Sequence, residues 1–290
     1  MSHFTVLVIG NDVDKILAPY HEFECTGRED YIQNIDITDE IKEDYNKNKK
    51  DYASISDFAK DYYGISIIGE KDIPDIADKK GQKYGWCRIN SNGELIEAIK
   101  RTNPNKQWDY YEISGRWGNI LQLKDGEKVN QSRAADVDWD SMRVKNRNDA
   151  NEKYTLAYHH CRFSSLKDEF ISFEKCKAET NDIEEAREKY HSQELIEEFK
   201  KLKNSFDIYD IFENIEEYFI DKETYLKNAY NAPLTFALVD ENGWQERGHM
   251  GWWGIVSDEK ESGEASKNYY DAINKIKNLD ILVTVVDCHI

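Results

Sequence analysis

Both ends of the chain are short apolar runs that predict buried β-strands. Residues 3–9 read HFTVLVI and are closed by Gly10, and residues 281–287 read ILVTVVD. Short runs rich in β-branched residues are typical of strands inside a sheet. Because chain ends usually fray unless a sheet holds them, we expect both strands to lie in one central sheet, near each other.

Three further segments predict β-hairpins. Each places a short apolar strand before a turn sequence that tolerates positive φ, the usual chemistry of a tight hairpin. The turns lie at residues 90–93, 124–126 and 240–243. Hairpins pair their strands antiparallel, so the central sheet is predicted to be mainly antiparallel.

Apolar residues at helical spacing add helices to this sheet and predict an α+β fold. Ser266 is a candidate N-cap for a helix that feeds the last strand and buries Tyr269, Tyr270, Ile273 and Ile276. A longer helical region runs from about 180 to 229. Its apolar stripes are Leu195, Ile196, Phe199 and Leu202, followed by Ile208, Ile211, Phe212, Ile215, Tyr218 and Phe219.

Acidic side chains are concentrated in this helical region. The chain has 57 acidic and 39 basic residues, for a net charge of −18, and residues 168–226 alone contain 18 acidic and 8 basic residues. We therefore predict an α+β core domain formed by 1–162 and 230–290, with a helical insertion at 163–229, called the helical arm below. The candidate partner-binding acids on one face of its last predicted helix are Asp207, Asp210, Glu213, Glu216, Glu217 and Asp221.

The charge changes which partners are expected. An acidic surface repels nucleic acid and anionic membranes, and it attracts basic protein surfaces such as those of DNA-binding proteins. Alternatively, the acidity only keeps the protein soluble. Five cysteines at wide spacing, without a CxxC pair, argue against a zinc site or a disulfide framework.

No sequence motif predicts a cofactor, a metal or a catalytic residue. There is no phosphate loop, no dinucleotide fingerprint and no nucleophile elbow. The start lacks the pattern of a signal peptide, and no apolar stretch approaches the roughly 20 residues that span a bilayer. These observations predict a cytoplasmic protein with no membrane contact.

The C-terminal sequence Asp287-Cys288-His289 is the first chemical candidate, as a thiol nucleophile or a pair of metal ligands. Neighbours in a strand point to opposite faces, so Cys288 and His289 are not expected to share a site. Pairing of the terminal strands could bring His3 and His289 together, with His249 as a third ligand. A buried cysteine and a histidine at a strand end is the simpler reading.

Two stretches rich in glycine and aromatic residues are the second candidate. They read WDYYEISGRWG at 108–118 and RGHMGWWG at 247–254. Glycine allows close backbone approach, and tryptophan supplies a large apolar area with one polar group. Tight packing at sheet corners is the alternative to a site here. The residues proposed for a pocket or an interface are Arg116, Trp117, His249, Trp252 and Trp253.

Six segments together resemble a family of tailed-bacteriophage proteins of unassigned function. They are MSHFTVLVIG (1–10), LAPYHEFECTG (17–27), RTNPN (101–105), WDYYEISGRWG (108–118), RGHMGWWG (247–254) and TVVDCHI (284–290). The resemblance covers both ends and the middle of the chain but not residues 150–230. It implies an accessory protein made in the cytoplasm of the bacterial host, and it brings no catalytic residues.

Accessory phage proteins of this size often act against host defences, and some acidic ones bind defence nucleases. The resemblance therefore implies an inhibitor that binds and blocks a bacterial antiviral complex of the nuclease type, for example an anti-Gabija protein. We expect it to be a homo-oligomer without enzymatic activity. The alternatives are a protein or enzyme that binds a small molecule or nucleotide signal through the Trp and Gly stretches, and a structural or assembly protein of the virion.

Overall fold

The computed structural model describes residues 2–77, 82–180, 182–201, 215–251, 256–258, 260 and 262–290. The strands are β1 (His3–Ile9), β2 (Gln33–Asp36), β3 (Ser66–Gly69), β4 (Gly85–Ile89), β5 (Leu95–Thr102), β6 (Tyr110–Ile113), β7 (Leu121–Gln122), β8 (Lys128–Val129), β9 (Gln131–Arg133), β10 (Ala237–Asp240), β11 (Gly243–Glu246), β12 (His249–Met250), β13 (Val256–Ser257) and β14 (Leu282–His289). The α-helices are α1 (Val13–Leu17), α2 (Phe23–Thr26), α3 (Thr38–Asn48), α4 (Ile55–Tyr62), α5 (Trp139–His160), α6 (Phe163–Leu166), α7 (Phe173–Ala178), α8 (Ile183–His191), α9 (Glu194–Lys201), α10 (Lys222–Asn231) and α11 (Ser262–Ile276).

One sheet, called the terminal sheet below, contains both chain ends, as predicted. Its strand order is β11-β10-β1-β14-β6, and β9 pairs with the first half of β14. β1 and β14 pair antiparallel, from His3 opposite His289 to Ile9 opposite Val283. Within this sheet as described, the β1–β10 pair alone is parallel. The sheet is therefore mainly antiparallel, and the α+β class is confirmed.

Both faces of the terminal sheet are covered, which explains why its central strands read as unbroken apolar runs. On one face, Leu7 and Val285 pack with α11 and with the start of α5. On the opposite face, Val6 and Cys288 pack with α1 and with Trp108. Because successive side chains point to opposite faces of a strand, each of the two terminal strands contributes to two cores.

A second sheet forms in residues 33–102, with the strand order β2-β5-β4-β3. α3 and α4 cover it, and their Ile41 and Phe58 pack against Cys87 and Ala98 of the sheet. The turn sequence at 90–93 predicted its central hairpin, which is β4–β5, but no local pattern predicted a separate sheet. The other two predicted hairpins are also confirmed, as β7–β8 and β10–β11.

The helical arm has an apolar core of its own. α5 connects the two parts of the protein, because Trp139 and Met142 near its start belong to the core of the terminal sheet. Tyr154 and Ala157 near its end belong to the core of the arm. The buried members of that helical core are Tyr154, Ala157, Cys161, Phe163, Leu166, Cys176, Ala186, Tyr190, Leu195, Ile196, Phe199, Ile215 and Tyr218. The core of the arm thus begins within α5, before residue 163. The division into a core domain (1–162 and 230–290) and an insertion (163–229) stays a prediction.

Two local predictions about helices were wrong. α11 begins at Ser262, so Ser266 lies inside the helix and does not cap it. The helix thus begins one turn before the candidate cap Ser266. The buried Ala265 packs in this added turn, and tertiary packing of this kind overrides local propensity. The acidic segment is also not one continuous helix, because residues 215–219 form a 3₁₀ turn and α10 starts afresh after Asp221.

Candidate functional site

The pairing of the terminal strands places His3 directly opposite His289. Ser2 and Ile290 exchange both backbone hydrogen bonds, at 3.1 Å each, so the next pair, His3 and His289, is of the non-hydrogen-bonded kind. Side chains approach most closely in such pairs. The two imidazole ring centres are 4.9 Å apart, with the ring planes at 74°. Pairing of the terminal strands, which the sequence left open as a way to join the two histidines, does bring them together.

Each of these imidazoles is held by a carboxylate. His3 Nδ1 lies 3.0 Å from Asp287 Oδ1, and His289 Nδ1 lies 2.6 Å from Asp109 Oδ1. A carboxylate only accepts hydrogen bonds, so in the neutral imidazoles both Nδ1 atoms donate and both Nε2 atoms keep their lone pairs. The four residues His3, Asp109, Asp287 and His289 are called the terminal-strand site below.

A strained loop after β6 fixes Asp287 from the other side. The backbone N–H of Arg116 donates to Asp287 Oδ2 over 2.9 Å. Gly115 has a φ of +38°, and a Cβ there would overlap the Asp287 side chain. Ser114, before it, also has positive φ, at +82°, which is rare for a residue with a side chain. Backbone strain of this kind persists only where the surrounding structure enforces it.

The site lies near the edge of the terminal sheet, because β6 is its last strand on this side. Tyr110 of β6 stacks on His289 with ring centres 4.5 Å apart. Three large apolar side chains nearby in sequence are exposed: Tyr110, Ile113 and Trp117. The side chains of His3 and His289 are themselves 12% and 4% exposed. The site is therefore a nearly closed slot beside an apolar rim.

Cys288 does not belong to this site. It lies on the opposite face of β14, buried with Phe4 and Trp108. Burial raises the pKa of its thiol well above the ordinary value, and the charges of Asp287 and Asp109 raise it further. A thiol in that environment is protonated near neutral pH and is a poor nucleophile. The expectation that Cys288 and His289 serve different faces is confirmed.

The other described residues proposed for a pocket lie on two different segments of the chain. Arg116 and Trp117 lie in the loop that holds Asp287. His249 lies on β12, with its Nδ1 3.9 Å from Glu246 Oε1. The idea of His249 as a third ligand beside His3 and His289 was wrong, because the three histidines do not form a ligand group in the described structure. Trp252 and Trp253 lie outside the described residues. Within the described ranges, no group of three His, Cys, Asp or Glu residues is placed to hold a metal ion.

The candidate acids of the helical arm are only partly described. Asp207, Asp210 and Glu213 lie outside the described residues. Glu216 and Glu217 are exposed on the 3₁₀ turn at 215–219. Asp221 caps α10, where it accepts a hydrogen bond of 2.9 Å from the Thr224 N–H, and this hydrogen bonding lowers the pKa of its carboxyl.

Several acids of the arm are balanced by nearby cations. The ion pairs are Arg162–Glu194, Arg187–Glu184, Lys189–Glu179, Lys200–Glu197 and Lys201–Glu198. The described part of residues 168–226 nevertheless keeps 15 acidic against 7 basic residues. Its surface therefore remains strongly negative after these pairs are formed.

A cleft of about 1160 Å³ lies beyond the carboxyl ends of β1 and β10, beside α11. Its lining carries both signs of charge, with Asp12 and Asp240 near Arg247, Lys260 and Lys275. This mixture does not select a ligand by charge. The alternative of a nucleotide-binding protein stays a prediction.

The sequence pattern identified neither Asp109 as a site residue nor a role for Asp287. The alternation rule could have found Asp287, because it shares a strand face with His289 and, through pairing, with His3. Asp109 could not be assigned, since its contact with His289 depends on how the segment after β5 returns to β14. That return is made by the Asp109 N–H, which donates to the His289 carbonyl over 2.9 Å.

The described parts of the six segments that carry the bacteriophage resemblance adjoin one another at this end of the terminal sheet, and Met250 of the 247–254 segment packs in the same core as Phe4 and Cys288. Asn103 Nδ2 donates to the Pro19 carbonyl over 2.8 Å, and Trp108 Nε1 donates to the Leu17 carbonyl over 3.1 Å. Comparison of the chain with protein families, curated proteins and solved structures finds no match. No helix in the described part is long and apolar enough to cross a bilayer.

Proposed function

We propose that this protein acts by binding a basic protein through the acidic surface of its helical arm. The proposal rests on the different positions of the apolar and the acidic side chains of the arm. Its helices bury their apolar residues in the helical core and leave most of the carboxylates exposed. The exposed acids that form no ion pair with a described residue include Asp168, Glu169, Glu174, Glu188 and Glu223.

Such a surface supports recognition of a protein that itself binds nucleic acid. Complementary charge accelerates encounter and disfavours partners of the same sign. The bacteriophage resemblance supports the further step that the partner is a DNA-binding nuclease complex of bacterial antiviral defence. In this proposal the protein occupies the basic surface where DNA would bind and thereby blocks the complex.

Charge reversal on the arm tests the proposal. The arm variant carries Glu169→Lys, Glu174→Lys and Glu188→Lys. The matched control carries Glu29→Lys, Asp51→Lys and Asp61→Lys, which are exposed acids elsewhere that form no described ion pair. Both variants change the net charge by the same amount, so any difference between them reports the location of the charge.

Binding to purified DNA-binding defence nucleases is measured by biolayer interferometry at low and at high salt. We expect the arm variant to bind at least about 10-fold more weakly and the control to bind within about 3-fold of the original protein, since mainly the arm charges face the partner. High salt should weaken binding. Equal effects of both variants, or no binding and no protection of phage in defence-carrying hosts, would contradict the proposal.

A further inference from the structure

We propose that His3 and His289 form a two-imidazole site for a divalent transition metal such as Zn²⁺. The proposal concerns the terminal-strand site and is independent of the helical arm. It requires two imidazole lone pairs that are free, accessible and close enough to share an ion, together with surroundings that favour a cation.

The first requirement is met by the tautomers. Both Nδ1 atoms donate to carboxylates, at 3.0 Å for His3 and 2.6 Å for His289, which leaves Nε2 of each ring as the coordinating atom. A metal-bound histidine typically donates its other ring N–H to a carboxylate or a carbonyl, and this contact orients the ring and raises its basicity. Asp287 and Asp109 are in that outer position.

The second requirement is access. Neither Nε2 atom hydrogen-bonds to any described residue, and neither is among the buried polar atoms without a partner. Both atoms therefore have contact with solvent, although the two side chains are mostly buried. An ion could enter from the edge of the sheet beside β6.

The third requirement is distance. Zn–N bonds are about 2.1 Å long, and a tetrahedral ion shared by two imidazoles therefore places the ring centres about 5 Å apart. The observed separation of 4.9 Å, with the ring planes at 74°, permits such a shared ion. The non-hydrogen-bonded pairing of His3 and His289 creates this separation, and Tyr110 stacked on His289 holds one ring in place.

The charge of the surroundings also favours a cation. Asp109 and Asp287 contact the two rings, and Glu112 is the cross-strand partner of Asp287. Imidazole with nearby carboxylates suits Zn²⁺ and similar ions rather than Mg²⁺ or Ca²⁺, which prefer oxygen ligands. With two protein ligands, the remaining coordination positions are left to water or to an exogenous ligand.

Zn²⁺ titration followed by calorimetry tests the site. The protein should carry Cys25→Ser, because Cys25 is the exposed thiol among the described cysteines and could bind zinc itself. We expect one ion per chain. His3→Gln or His289→Gln should each weaken binding by at least about 100-fold, and Asp109→Asn by about 10-fold, since loss of an outer-shell partner costs roughly 10–100-fold.

His249→Gln is the matched control, because His249 is an exposed histidine of β12 that faces Glu246 and contacts none of the four site residues among the described contacts. This substitution should leave zinc binding unchanged. A second measurement uses the protein that keeps both histidines, so its result does not depend on whether the variants fold. Substoichiometric Co²⁺ should broaden the imidazole CH resonances of two of the seven histidines. No binding, binding that survives His289→Gln in a folded protein, or broadening of other histidines would overturn the proposal.

Discussion

At the scale of single residues, the terminal-strand site depends on one glycine. Gly115 allows the loop after β6 to pass against Asp287, so that the Arg116 N–H reaches Oδ2 while His3 holds Oδ1. A side chain would be unfavourable there for two reasons. The φ of +38° is disfavoured for residues with a Cβ, and the space is occupied by Asp287.

Replacing Gly115 with Ala should therefore destabilise the protein by roughly 2–4 kcal/mol, the combined cost of a left-handed backbone and of overpacking. Chemical denaturation monitored by circular dichroism measures the free energy of unfolding. Gly118→Ala is the control, because a Cβ at Gly118 meets no atom within 4 Å, and it should change stability by less than about 0.5 kcal/mol. Equal effects of the two substitutions would show that the loop does not press on Asp287.

At the scale of secondary-structure elements, Arg143 of α5 joins three helices. Its guanidinium lies 4.1 Å from the ring centres of both Tyr230 and Tyr270, at the end of α10 and in α11. Its Nε donates to the Tyr230 carbonyl over 3.1 Å, and Nη2 donates to Asn231 Oδ1 over 2.7 Å. The planar, branched guanidinium satisfies all four contacts at once, which an ammonium group cannot do.

Arg143→Lys should therefore lower the free energy of unfolding by about 1–2 kcal/mol, since it keeps the charge but loses the stacking and one hydrogen bond. Thermal and chemical unfolding would both report the loss. Arg147→Lys provides the comparison, because Arg147 lies one turn further along α5, exposed and without a described contact. If both substitutions were neutral, the contacts of Arg143 would not hold α5 to α10 and α11.

At the scale of the whole molecule, the net charge of −18 acts against the compact state. Like charges repel one another over the surface, and salt weakens this repulsion. Four of the five ion pairs named for the arm are exposed on both sides, so their loss at high salt costs little. Because salt weakens the general repulsion more than it weakens these ion pairs, added salt should raise the free energy of unfolding.

Raising NaCl from about 20 to 300 mM should increase the melting temperature by about 2–4 °C, which corresponds to ~1 kcal/mol in a chain of this size. Differential scanning fluorimetry measures the shift. The arm variant with three lysines has a smaller net charge and should show a smaller shift. A melting temperature that falls with salt would mean that local ion pairs outweigh the general repulsion.

The sequence by itself determined the strands at both chain ends, the three hairpins and the concentration of acids in residues 168–226. These features are local: β-branched runs, turn residues that accept positive φ, and charge counts do not depend on distant partners. Local signals were weaker for helix ends, since packing of Ala265 moved the start of α11 away from Ser266.

Only the tertiary structure decided which side chains meet. Alternation assigns residues to one of two faces, but it gives neither the register of β1 against β14 nor the path that returns Asp109 to His289. His3 and Asp287 are 284 positions apart in the chain. Their contact exists because strand pairing, a cooperative property of the whole sheet, aligns the two chain ends, and no local sequence pattern encodes that alignment.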